Sequence, residues 1–152
     1  MEPIMLELAD RLAEMHNFIE RAIADLPDEA LVWSPGRDMN TLAVLVVHTL
    51  GAERYWIGDV AGEEPSGRVR AAEFETPGIS AAELLERARE TLAHSRAVLN
   101  RLTASDFEVV REVGEDSRRL TVAWAVLHAL EHTALHVGHI QLTRQLWDQS
   151  VE

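Results

Sequence analysis

Apolar side chains recur at steps of three and four along most of this chain. Ile4, Met5, Leu8, Leu12, Met15, Ile19, Ala22, Ile23 and Leu26 are separated by charged residues, the pattern of a helix buried along one stripe, and they predict a first helix over 3–26. Residues 27–38 hold two prolines and a glycine and read as a loop, with Trp33 as its anchor into the core. Asn40 is the expected N-cap of a second helix over 41–60, apolar around most of its circumference (Leu42, Leu45, Val46, Leu50, Tyr55, Trp56, Ile57) and so buried on more than one side. Residues 62–78 are polar, with two prolines, three glycines and no period, which predicts a long exposed connection.

Ser80 followed by Glu83 has the spacing of a capping box, and Leu84, Leu85, Ala88, Leu92, Val98 and Leu99 carry a third helix to about residue 102. Residues 106–114 alternate only weakly, too briefly to found a sheet, and are expected to be irregular. Val122, Trp124, Leu127, Leu130, Leu135, Ile140, Leu142 and Leu146 then describe a fourth helix of nearly thirty residues. Gly138 lies inside it, where a glycine weakens a helix and is expected to mark the close approach of another backbone. Four long helices without a convincing strand predict an all-α fold, a four-helix bundle, in which the link between helices 2 and 3 is long enough to be a crossover.

The fourth helix also carries the candidate chemistry. Four of the seven histidines, His128, His132, His136 and His139, fall in one run of it. At about 100° per residue, their imidazoles share one face. Two histidines at i and i+4 can close on one divalent ion, and imidazole suits zinc, nickel and copper. The same spacing also arises among core histidines that bind nothing, so a third ligand from another helix is required. His48, set among Val44, Leu45, Val47 and Leu50 on the second helix, is the candidate, because bundles build ligand sites from inward side chains of facing helices. His48, His132 and His136 would leave one coordination position open to water or substrate. The run is not a zincin: Thr133 stands where the glutamate base would be. His16 and His94 have no partner at helical spacing and receive no role.

Composition narrows the partners. The 152 residues, 47% hydrophobic and 26% charged, suit one domain spanning 1–152 with a sizeable core. A net charge of −12 opposes binding to nucleic acid or anionic membrane, both of which are recognised by clustered cations. There is no cysteine, so no disulfide forms and no protein thiolate serves as nucleophile. The N-terminal residues 1–5 lack the basic and apolar regions of a secretion signal, and no apolar run approaches a membrane span, so a cytoplasmic protein is expected.

The stretch from Leu42 to Trp56 that contains His48-Thr49-Leu50-Gly51, together with His132-x-x-x-His136-Val137-Gly138-His139-Ile140 and the following Arg144-Gln145, resembles the DinB-like (DinB/YfiT) four-helix-bundle metalloproteins. The resemblance extends to the order of the helices, the Trp33-x-Pro35 loop and the long link. It implies that His48, His132 and His136 bind a divalent metal ion, zinc or nickel, and that the protein is a homodimer. Some members of that family resemble or are S-transferases that use a low-molecular-weight thiol, and the mycothiol-dependent maleylpyruvate isomerase is a relative. The resemblance therefore implies a metal-dependent transferase acting on a small-molecule substrate, or, alternatively, a non-catalytic metal-binding or stress-related bundle. Many relatives carry His-Arg-Gly-Gln where this chain has His136-Val137-Gly138-His139, so an imidazole replaces a glutamine. His139 is accordingly a candidate orienter or proton acceptor beside the metal, and His128 a helix-face histidine or an outer partner. Arg54 and Arg144 are candidates for recognising an acidic thiol, against the ordinary alternative of surface ion pairs.

Overall fold

The computed structural model describes residues 2–76, 78–114 and 116–152. Met1 and Pro77, read above as part of the N-terminus and of the link, lie outside the described residues, as does Glu115. Four long helices form the bundle: α1 (Pro3–Ile23), α3 (Leu42–Glu53) continued by a π-helical segment (Arg54–Ala61), α5 (Ala81–Arg101) and α6 (Val122–Ser150). Two short helices, α2 (Asp28–Val32) and α4 (Arg70–Glu73), sit in the connections.

Side-chain pairs fix the direction of each helix. Glu20 meets Arg89 and Asp10 meets Arg96, so α1 and α5 are antiparallel. Glu53 meets Ser95 while Gly62, further on, abuts Val98, so α3 and α5 run parallel. His48 faces His132 and His136 while Trp56 faces Trp124, so α3 and α6 are antiparallel. Met5 clusters with Val122, and Arg144 bonds the Ala22 carbonyl, so α1 and α6 are parallel. The order is up, down, down, up. Because α3 and α5 are parallel neighbours, the link between them has to travel back along the bundle, as a crossover does.

Local signals account for the helix ends. The Ser80–Glu83 capping box is present, with the serine hydroxyl accepting from the Glu83 N–H and the Glu83 carboxylate accepting from the Ser80 N–H. The cap of α3 is Thr41 rather than Asn40: its Oγ1 accepts from the Val44 N–H at 3.2 Å. Trp33 is half-buried and meets the edge of Trp147 at 5.7 Å, so it anchors the loop on α6. The stretch expected to be irregular instead contains a 3-10 turn (Asp106–Glu108) and β1 (Val110–Val113), paired antiparallel with β2 (Arg118–Thr121). The alternation was weak because neither strand buries a full face; of the two, only Leu120 is buried. The expectation for Gly138 also fails: it is exposed, and a side chain there would meet nothing of this chain.

The core contains a polar insertion. Glu53, fully buried, accepts from Ser95 Oγ at 2.7 Å and bonds His16 Nε2 at 2.8 Å. His16 is buried as well, so one carboxylate ties α1, α3 and α5 together. Replacing one member leaves a buried polar group without its partner, at a cost of about 3 kcal/mol. His16→Ala should lower the urea-unfolding free energy by about that much, whereas Arg11→Ala, which breaks an exposed ion pair with Glu14, should change it by less than about 0.5 kcal/mol.

Candidate metal centre

His48 lies in the middle of α3, and His132 and His136 stand one turn apart on α6. The antiparallel contact of these helices brings the three rings together, with centroids 5.0 Å (His48–His132), 5.0 Å (His48–His136) and 4.4 Å (His132–His136) apart. Each offers a ring nitrogen, and the three nitrogens lie within 4.8 Å of one another. That spacing lets one ion reach all three through bonds of about 2 Å with small side-chain adjustment. Among the described residues the cluster contains these three groups alone, so neither His128 nor His139 completes it.

The surroundings fix the chemistry of each ring. Glu73 of α4 bonds His48 Nδ1 at 2.8 Å through Oε2. An ionised carboxylate accepts only, so Nδ1 carries the proton and Nε2 is left as a lone-pair donor. Arg68 in turn holds Glu73, donating from Nε at 2.6 Å and Nη2 at 3.0 Å. Burial pushes the Glu73 carboxyl up, but the hydrogen bonds from Arg68 and His48 and their charges outweigh it and keep the group below its ordinary value. Gly51, one turn along α3 from His48, makes this possible: a methyl group there would overlap the Glu73 carboxylate. His136 Nδ1 lies 3.3 Å from His139 Nδ1, so one ring donates to the other. His132 has a buried Nδ1 without a hydrogen-bond partner, a costly arrangement unless something other than this chain's polar groups meets the ring.

Burial first, then the neighbouring His136, His48 and His128 rings and Arg68, push the His132 pKa from 6.5 down to about 4. Burial, with His48 and His139, likewise takes His136 to about 4. Both rings are therefore neutral at pH 7, the state in which imidazole ligates metal. An all-imidazole donor set of this size fits a divalent ion of the zinc or nickel kind.

Two of the three cluster histidines, His48 and His132, line a cleft of about 510 Å³ together with Trp56, His128, Arg68, Arg70 and Arg118. His128 stacks on Trp124 at 4.6 Å and meets Trp56 edge-on at 5.0 Å, so it is part of an aromatic wall. A second hollow of about 460 Å³ lies on the other side of α4, against Val47, Ile79 and Arg87. It reaches Glu73 but none of the cluster histidines.

Several functional neighbours were not read from the sequence. Arg68, Arg70 and Glu73 lie in the link, which shows no period, and Arg118 in the unpredicted hairpin. Only Gly51, a glycine three residues after a buried histidine, gave a signal. Conversely, Arg54 and Arg144 do not line this cleft: Arg54 pairs with Asp59 at 2.9 Å, and Arg144 with Asp25 at 2.7 Å and Asp148 at 2.9 Å. His94 bonds Glu64 at 2.7 Å and, like His16, serves the fold.

Comparison with known proteins accords with this geometry. The sequence profile of the mycothiol S-transferases matches residues 7–149. The chain belongs to that family. No curated protein matches it by sequence. Among solved structures, a conserved protein from Enterococcus faecalis superposes with a TM-score of 0.77 at 13% identity, over 96% of this chain and 98% of that one. YfiT from Bacillus subtilis, described as a probable metal-dependent hydrolase with an unusual four-helix bundle topology, superposes with a TM-score of 0.76 at 16% identity, over 95% and 89%. At such identities these two show the fold alone. Together with the family match they support the DinB/YfiT-like resemblance, and the three histidines form a cluster that could hold a metal ion. No helix among the described residues is long and apolar enough to cross a membrane.

The depressed histidines predict a pH response. Unfolded, His132 and His136 take up protons near pH 6.5; folded, they do so only near 4. As pH falls through 6.5 the unfolded chain binds protons that the folded chain refuses, so stability present above 6.5 is lost progressively down to about 4. Chelator-treated protein should show this decline in urea unfolding between those pH values, and a His132→Gln/His136→Gln double variant should show a flatter one.

Proposed function

We propose that the protein is a divalent-metal-dependent S-transferase acting on a low-molecular-weight thiol, with His48, His132 and His136 as the metal ligands. The observation that carries this reading is the meeting of three imidazoles, two of them held neutral, with His48 and His132 lining an open cleft. When bound, a divalent ion lowers the pKa of a coordinated thiol and so supplies at neutral pH the thiolate that a chain without cysteine cannot provide. The chain's own residues do the rest. Glu73 fixes His48 in one tautomer, His139 orients His136, and the three ligands leave a position for the thiol. The aromatic wall excludes water from one side of the cleft. A reaction with a chlorinated acceptor would form an S–C bond as chloride leaves, the thiol proton passing to solvent. A cytoplasmic setting, where such thiols stay reduced, fits this chemistry.

A purely structural ion that only ties α3 to α6 is the rival reading. Access disfavours it, because His48 and His132 both line the cleft, whereas structural sites are closed by protein ligands.

His132→Ala and His136→Ala should each abolish stoichiometric metal in elemental analysis; wild-type content in either would refute the ligand assignment. Glu73→Gln and Gly51→Ala, which leave the three histidines in place but disturb the support of His48, should weaken metal affinity about 10–100-fold. Metal-loaded protein should conjugate mycothiol to a chlorinated acceptor, and chelator-treated protein should not.

We further propose a homodimer, built on α6. Helix 2, apolar around most of its circumference, contributes no free face to it, since most of α3 is buried within the bundle. The apolar face left over is Leu127, Leu135 and Leu142, 55%, 58% and 51% exposed, with exposed Ala134 and Gly138 between them. A two-fold pairing of this stripe would cover it, and Gly138 would permit close approach. Light scattering should return twice the 17.0 kDa chain mass, reduced to the single-chain value by Leu135→Arg.

A further inference from the structure

We propose that the cleft over the histidine cluster selects a small carboxylate-bearing molecule, gripped by Arg70 and Arg118. This rests on the S-transferase reading of the same site and adds the class of ligand that it takes.

The first observation is local charge. Acidic residues outnumber basic ones by 26 to 14, yet among the described residues the cleft is lined by Arg68, Arg70 and Arg118 against one carboxylate, the exposed Asp116. The second is the way these cations are held. Three guanidinium–aromatic contacts occur among the described residues, and all surround this cleft: Arg68 over Tyr55 at 5.6 Å, Arg70 over Phe74 at 5.1 Å and Arg118 over Trp124 at 4.8 Å. Phe74 itself packs on His48 at 5.1 Å, and Trp124 on His128. A guanidinium that stacks by its face keeps its edge N–H groups for a planar oxyanion, and its flexible stem is already restrained.

The third observation separates the arginines by task. Arg68 is committed to Glu73. Arg70 and Arg118 form no ion pair with any described residue, in contrast to Arg54, Arg101, Arg111 and Arg144. They also come from different connections, Arg70 from the start of α4 and Arg118 from the start of β2. A ligand held by both would lie across the cleft with its body against Trp56 and His128 and its reacting atom toward His48 and His132. A volume of about 510 Å³ suits a small organic molecule. Bidentate guanidinium bonds suit its carboxylate.

The carboxylate belongs either to the thiol or to its acceptor, and two matched probe pairs distinguish these: mercaptoacetate against 2-mercaptoethanol, and benzoate against benzamide. Binding to the metal-loaded protein is followed by calorimetry at fixed ionic strength. The expected result is that the anion of at least one pair binds on the order of tenfold tighter than its neutral counterpart, and that Arg70→Gln and Arg118→Gln each remove most of that preference while sparing the neutral probe. Both positions are exposed, so the variants should fold normally. The pair that shows the preference tells which substrate carries the acid. No preference in either pair, or a preference that survives both variants, overturns the proposal. A preference that vanishes with the metal yet survives Arg70→Gln and Arg118→Gln marks the carboxylate as a metal ligand; it overturns the proposal and leaves the S-transferase reading intact. An arginine-dependent preference that persists in chelator-treated protein, alongside failure to conjugate any thiol, supports the anion site and removes the transferase.

Discussion

The structure turns on one buried carboxylate. Glu73 is nearly inaccessible, and an ion there costs several kcal/mol unless its oxygens are satisfied. Arg68 and His48 satisfy them, and in doing so three separate properties become linked. The polar link is fastened to the bundle where otherwise it would have only weak apolar attachment. His48 is locked with its proton outward. The helix α4, which carries Arg70 at its start and Glu73 at its end, is placed against the cleft. Gly51 belongs to the same constraint, because α3 has to lack a side chain where the carboxylate lies. Loss of the Glu73 contact would loosen a connection, a cluster histidine and a wall together.

The topology explains why a connection is available at that place. With α3 and α5 parallel, the chain has to return along the bundle between them, and its path passes His48, where Glu73 meets the ring. The connection between α5 and α6 carries the β1–β2 hairpin to the same cleft and delivers Arg118 and Leu120. An up-and-down bundle with short loops would bring its helices together equally well but leave the histidine cluster at a bare groove. Here the connections become the walls. The parallel arrangement is tolerated because the buried His16–Glu53–Ser95 contact gives α1, α3 and α5 one register.

What could be read from the sequence follows from which elements have a period. The four long helices, the Ser80 capping box and the His48, His132 and His136 set were all legible, because each rests on spacing within a regular element or on a residue embedded in one. The residues that support and surround the cluster were not. Arg68, Glu73 and Arg118 occupy segments where neighbours in sequence say nothing of neighbours in space, and α4 is one turn long, too short for periodicity to register. The hairpin was missed because it lies on the bundle with little of either face buried, so the alternation that marks a strand is diluted. Gly138 shows the opposite failure: a glycine inside a helix is expected to meet another backbone, whereas nothing of this chain approaches it and its open face belongs to the uncovered stripe of α6.

The charge of the whole chain and the charge of the cleft point in opposite directions, and distance decides between them. A net charge of −12 would repel anions if it acted as a single centre. In physiological salt, however, exposed charges are screened beyond about 8 Å, so a molecule within the cleft responds mainly to Arg70, Arg118 and the histidine cluster. The depressed pKa values matter here as well: His132 and His136, both taken to about 4, contribute no positive charge at neutral pH. Attraction for an anion in the metal-free cleft thus comes from the arginines, while the neutral rings keep their lone pairs for an ion. A cleft that combined an anion grip with a metal in one small space would need this division. Imidazoles that carried the positive charge could not ligate, and guanidiniums, which never give up their protons, supply the charge without competing for the metal.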